Sequence, residues 1–181
     1  GESIILDPLD IYRLTTNLEM SFEALLNQYI ELNVVDGIIL PNLRMAGPNE
    51  ACGFLDRNGR CSIHAHRPGI CRLLPLGRYY EDGGFKYFLQ THECKKENRT
   101  KVKVKKWIDT PNLKQYESFV ADWHNFLMKM EERANDSDEA VAKQVSMFLL
   151  QTFYIKPYDR SKDFYPQYEE RRAQAKMIFH V

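Results

Sequence analysis

Cys52, Cys61, Cys71 and Cys94 are the only cysteines among 181 residues, and together they occupy about one quarter of the chain. A thiolate is a soft metal ligand and a nucleophile, so thiols gathered in one stretch point to metal ligation or thiol chemistry. Two other uses compete. Unpaired cysteine also serves as a small buried hydrophobe, and four cysteines can pair as two disulfides. In a reducing compartment disulfides do not persist and clustered thiols more often hold a metal; in a secreted chain that argument reverses. The metal is open at this level. The short Cys-x2-Cys knuckle common in structural zinc sites is missing, while four thiolates from separate loops suit either tetrahedral zinc or a cubane [4Fe-4S] cluster.

The neighbours of these cysteines suggest how they would be gathered. Eight residues separate Cys52 from Cys61, and Asn58-Gly59 suits both central positions of a type I′ turn, so a tight hairpin with the two sulfurs facing each other is expected. Nine residues separate Cys61 from Cys71, and between them Arg67-Pro68 bars a helix before the proline and lets one open after it. Cys71 then falls in a first helical turn, where unpaired N–H groups favour a thiolate. A hairpin from Tyr79-Tyr80 to Phe85–Leu89, turned at Gly83-Gly84, would return Cys94 to the same place.

Other residues in the stretch have weaker claims. Arg67 and Arg72 are candidates to donate to cluster sulfurs and tune their charge, the other use for each being a local carboxylate partner. His64 and His66, two apart, share a face of an extended segment and would serve as replacement ligands, although loop histidines are more often surface hydrogen-bonding groups; His92 reads the same way. No Gly-rich phosphate loop, no Gly-x-Ser-x-Gly and no Cys/His pair with a third member is visible.

The elements that must position these residues are mostly helical. Asp7-Pro8 starts a helix carrying Ile11, Leu14 and Leu18, and Ser21 caps a second through Leu25, Leu26, Tyr29 and Ile30. Asp36-Gly37 joins Asn33–Val35 to Ile38–Leu40 as a hairpin. Lys101–Lys105 alternates lysine with valine as an exposed strand would. Thr110-Pro111 opens a long helix whose apolar face takes in Tyr116, Phe119, Val120, Trp123, Phe126, Leu127 and Met130. Asp136 with Glu139 makes a capping box for a helix bearing Val141, Val145, Phe148, Leu149 and Phe153, the two helices forming an antiparallel hairpin. After Lys156-Pro157 an aromatic linker leads to Pro166 and a last short helix through Tyr168, Ala173 and Met177. The fold class is therefore mainly α with small β-hairpins: a helical domain with a loop-rich cysteine metal-binding region. Residues 1–106 form that region, and residues 107–181 form the helical hairpin and C-terminal helix, packed with the first as one domain.

Composition excludes some classes. Twenty-five Lys and Arg balance twenty-five Asp and Glu, so no global field draws the chain to nucleic acid or to anionic lipid. The basic run Lys95–Lys106, with Trp107 as its nearby large aromatic, reads as a solvated segment and not as a nucleic-acid surface. No apolar run approaches the roughly 20 residues of a membrane span, and no leader pattern opens the chain. The expectation is a cytoplasmic protein without a membrane or nucleic-acid partner; a protein partner is left open. Gly1-Glu2-Ser3 passes at once into Ile4-Ile5-Leu6 without an initiator methionine, so the true beginning is expected upstream.

The stretch Cys52-x-Phe54-Leu55-x3-Gly59-x-Cys61-x-Ile63-x3-Arg67-Pro68-x2-Cys71-Arg72-x2-Pro75-Leu76 closely resembles the signature of the bacterial cysteine-cluster family of zinc- or iron-chelating domains, whose relatives include flagellin lysine N-methylase. Leu6-Asp7-Pro8-x-Asp10-Ile11-x-Arg13-Leu14 is similar to that family's entry helix, so the likeness covers about residues 4–94 and leaves out the helices after Thr110. Members usually carry a further cysteine-rich stretch ahead of the entry helix, which this sequence does not contain. The resemblance implies a metal-binding protein in which Cys52, Cys61, Cys71 and Cys94 hold an iron-sulfur cluster or, second, zinc. Through the methylase relatives it also implies an alternative, a protein-lysine N-methyltransferase using S-adenosylmethionine. Whether the chain is an enzyme, of that kind or a redox protein, is open in the sequence.

Overall fold

The computed structural model describes residues 4–47, 51–92 and 100–180. The chain divides into two units, one made of Gly1–Arg67 with Met128–Val181 and the other of Pro68–Leu127. Seven α-helices and three two-stranded antiparallel ladders make up the described residues, so the fold is mainly α as expected.

In the first unit, α1 (Pro8–Asn17) starts where proline and a reciprocal cap agree. The Asp7 carboxylate accepts from the Asp10 N–H at 2.8 Å and the Asp10 carboxylate accepts from the Asp7 N–H at 3.2 Å, with Pro8 at the first position. Ser21 caps α2 (Phe22–Gln28) through the Ala24 N–H. The chain then enters β1 (Ile30–Val35), which pairs with β2 (Ile38–Leu43) across Asp36 and Gly37, both at positive φ, as a type I′ turn requires. Ile4–Leu6 runs along the other edge of β2, Leu6 donating to the Pro41 carbonyl and Leu43 to that of Ile4. The short strands β3 (Met45–Ala46) and β4 (Ala51–Cys52) follow.

The same unit is completed by the C-terminal residues. The helix α6 (Glu139–Leu149) is capped by Asp138, whose carboxylate accepts from the Val141 N–H, and not by Asp136. It packs on β2, where the Ile39 N–H donates to the Ser146 hydroxyl at 3.1 Å. Beyond Leu149 the winding widens into a π-helix (Leu150–Ile155). Two long-range contacts hold that turn: the Tyr154 hydroxyl donates to the Leu6 carbonyl, and the Arg171 guanidinium donates to the carbonyls of Thr152, Lys156 and Pro157 while lying 3.7 Å from the Tyr158 ring centroid. Arg171 belongs to the last helix (Phe164–Phe179), whose buried face is Phe164, Tyr168, Arg171 and Ala175. Ala173 and Met177 of the same helix are exposed, while Arg171 is buried where it reaches its carbonyls.

In the second unit, α3 (Gly69–Leu73) follows Pro68, and the hairpin of β5 (Leu76–Glu81) and β6 (Gly84–Leu89) turns at Asp82-Gly83, one residue earlier than Gly83-Gly84. The expected strand over Lys101–Lys105 is overturned: residues 101–103 have no regular structure and α4 (Val104–Ile108) is helical. Alternation over five residues cannot separate the two periods. Helix wins because it buries Ile108 completely and lets the Trp107 indole donate to the Leu73 carbonyl at 3.2 Å. Asp109 and Asn112 take left-handed conformations, delaying α5 to Leu113–Asn135. Of α5, residues up to Leu127 belong to this unit, where Tyr116, Phe119, Val120, Trp123 and Phe126 are buried as the periodicity predicts; Leu127 is only half-buried. Met130 and Ala134 are buried in the first unit. The last helix, Phe164–Phe179, is α7.

Candidate metal centre

The first two cysteines sit in one turn system, although not as facing partners. Cys52 ends β4 and pairs with Met45, and its carbonyl accepts from the Leu55 N–H at 3.0 Å. Cys61 pairs across the chain with Leu55. Leu55 therefore joins both, bonded to one and opposite the other. The turn between them differs from the expected type I′. Asn58 does not take positive φ; only Gly59 does, at 71°. The Asp56 carboxylate instead accepts from the N–H groups of Asn58 and Arg60, at 2.8 and 2.9 Å, while the Asp56 N–H reaches the Arg60 carbonyl. An aspartate two residues ahead of Asn58 offers its carboxylate to the turn, and this local bond outweighs the Asn-Gly preference.

A side chain that sequence reasoning did not assign to the site anchors this turn. Phe54 is 4% exposed and stacks on Tyr29, the residue ending α2, with centroids 4.3 Å apart and planes at 17°. The Phe54 carbonyl takes both the N–H and the hydroxyl of Ser62, at 2.8 and 2.9 Å. Its place between Cys52 and Cys61 in the signature was the available signal. Cys52 and Cys61 are both half-buried thiols.

Cys71 lies in the second unit as the third residue of α3, half-buried, where the Arg67-Pro68 break predicted it. Next to it Arg72 is buried and donates to the carbonyl of Asp109, the left-handed residue that ends α4, at 2.9 Å. In the first unit, Arg67 is half-buried and its guanidinium contacts the His64 ring nitrogen. His64, His66 and His92 are exposed. The β5–β6 hairpin brings Gln90 to Pro75, the Gln90 N–H donating to the Pro75 carbonyl at 2.9 Å. Cys94 lies outside the described residues. Among the described residues no three His, Cys, Asp or Glu side chains form a group able to hold a metal ion.

The matching family model, CxxCxxCC, spans residues 2–100, more than half of the chain, and is described as "Putative zinc- or iron-chelating domain". This chain belongs to that family. All four cysteines of this CxxCxxCC chain lie inside the matched span, although the Cys-x2-Cys-x2-Cys-Cys run of the family name does not occur in it. Metal binding is the general property the family carries, with zinc and iron the two metals in its description. No curated protein and no solved structure matches the chain. Among the described residues no helix is long and apolar enough to cross a membrane.

Proposed function

We propose that the chain is a metal-binding protein in which Cys52, Cys61, Cys71 and Cys94 together hold one inorganic centre, an iron-sulfur cluster first and a zinc ion second. The observation that carries this reading is that every cysteine of the chain falls within the span matched to a metal-chelating family. The donor set fits either centre, since four thiolates satisfy tetrahedral zinc or the four irons of a cubane. Local folding supports two halves of the assembly. Leu55 ties Cys52 to Cys61, and the Gln90–Pro75 bond lies four residues ahead of Cys94 and four residues after Cys71, a reach of at most about 14 Å on either side. Metal ligation would stabilise the loops that carry the ligands, because ligand binding free energy is also folding free energy in such sites.

In this reading residues 1–106 are the metal-binding region, loop-rich around its ligands, and residues 107–181 support it. Arg67 and Arg72 stand beside the ligands along the chain, and their guanidinium groups would offset thiolate charge. The thiols require a reducing compartment, which makes the cytoplasm the proposed location. The lysine methyltransferase alternative rests on resemblance alone, and nothing in the fold favours it.

Anaerobic purification followed by metal and acid-labile sulfide analysis tests the proposal. Brown protein carrying iron and sulfide in equal amounts is expected, and a colourless protein with one zinc per chain supports the second centre. Cys71→Ser and Cys94→Ser should each lower metal content at least fivefold. A folded chain that holds neither metal, or single variants that retain it fully, would overturn the assignment.

A further inference from the structure

The second unit contains a cavity of about 320 Å³ whose walls include Ile70 and Leu73 of α3, Leu74 just past its end, Leu76 and Tyr80 of β5, Phe88 of β6 and the Gln90 that follows. That volume is at the small end of the range for ligand sites, which combine an apolar lining with a few polar groups. The Phe88 wall depends on a glycine. Phe88 lies opposite Gly77, and a Cβ at Gly77 would overlap the Phe88 ring, so the bare backbone is what lets the ring lie across the strand. Ile70, Leu74 and Phe88 remain about half exposed, at 47, 57 and 47%, although they are among the larger apolar side chains of the unit.

One charged residue shares this lining. Arg78 donates to the Tyr116 hydroxyl at 2.9 Å, with the Phe85 and Tyr116 ring centroids 5.2 and 5.6 Å away. Among the described residues no carboxylate lies within ion-pair distance of it, and its buried Nε has no hydrogen-bond partner. Phenols and ring faces return only part of what a guanidinium loses on leaving water, and a buried donor left unmade costs more than a typical bond is worth. An anion would complete the set.

We propose that this cavity binds a small carboxylate with an apolar, ring-sized body, the carboxylate meeting Arg78 and the body lying between α3 and Phe88. A carboxylate suits the site better than a phosphate. It brings one charge to the one cation, whereas phosphate brings up to two and draws on more donors. The site uses none of the cysteines and so stands apart from the metal reading.

Calorimetric titration of the full chain with 3-phenylpropanoate tests it, with the neutral 3-phenylpropanamide as the uncharged control. Saturable binding of the carboxylate, at least tenfold tighter than the amide, is expected, and Arg78→Met should reduce it at least tenfold. Because Arg78 also packs on Tyr116, Ile70→Glu provides a second variant at an exposed rim position. It should keep the wild-type circular dichroism melt and lose binding through repulsion of the carboxylate. Equal binding of acid and amide, no saturation with the acid, or undiminished binding to folded Ile70→Glu would each overturn the proposal.

Discussion

Replacing Phe54 by alanine is the sharpest test of how the turn bearing Cys52 and Cys61 is held. The ring is 4% exposed and stacked on Tyr29 at 4.3 Å, so truncation removes a buried aromatic together with its partner contact. Such changes cost about 3–5 kcal/mol, of which stacking contributes about 0.5–1.5 beyond the buried area. Against a total stability of about 5–15 kcal/mol the loss is large, and for a chain of this length it corresponds to a fall in Tm of roughly 6–20 °C. Urea unfolding followed by circular dichroism measures it. Ser62→Ala serves as the companion variant, since it removes the hydroxyl bond to the Phe54 carbonyl but leaves the ring, and should cost only about 1 kcal/mol. Metal content of Phe54→Ala reports separately on the site and should fall at a temperature where the variant is still folded. A stability loss below about 1 kcal/mol would refute the packing argument, and undiminished metal would refute the proposal that this ring positions Cys52 and Cys61 as ligands.

Three further outcomes follow from the first unit. Asp7→Ala removes one half of the reciprocal cap on α1 and should lower stability by about 1 kcal/mol in a thermal melt. Burial, with Asp36 adding to it, pushes the Glu131 carboxyl up to about 7. The folded state then binds more protons than the unfolded one between the ordinary carboxylate range and pH 7, so Glu131 disfavours folding as pH rises through that window. Urea midpoints at pH 5 and pH 8 should therefore differ less in Glu131→Gln than in the parent chain. Gly37→Ala places a side chain at φ 89° against the Asn135 amide, which itself donates to the Asp36 carbonyl. A loss of roughly 2 kcal/mol or more is expected by urea titration, from left-handed strain and displacement of Asn135.

Much of the local structure was legible in the residues. Asp7-Pro8 and Ser21 start helices where their side chains and fixed φ require it, Asp36-Gly37 makes the turn its chemistry favours, and the 3.6-residue stripe from Tyr116 to Met130 is buried almost as read. Misreadings fell where two local preferences competed. Asp56 displaced Asn58-Gly59 from a type I′ turn, Asp138 and not Asp136 capped α6, and valine alternating with lysine gave way to the short helix α4. In the candidate site the signature located the cysteines, but the part played by Phe54 needed Tyr29, twenty-five positions earlier, to be seen beside it.

The sequence by itself determined where α1 and α2 begin, which turn joins β1 to β2, and that every thiol falls within one stretch of the chain, because caps and turn residues act within a few positions of one another. Tertiary structure decided which face of α7 is buried, what Arg72, Arg78 and Arg171 hold, and where a cavity opens. Arg72 finds its carbonyl 37 residues away and Arg78 its phenol 38 residues away. A buried guanidinium must satisfy its donors with whatever packing brings near, and that depends on the whole folded arrangement rather than on any neighbouring residue.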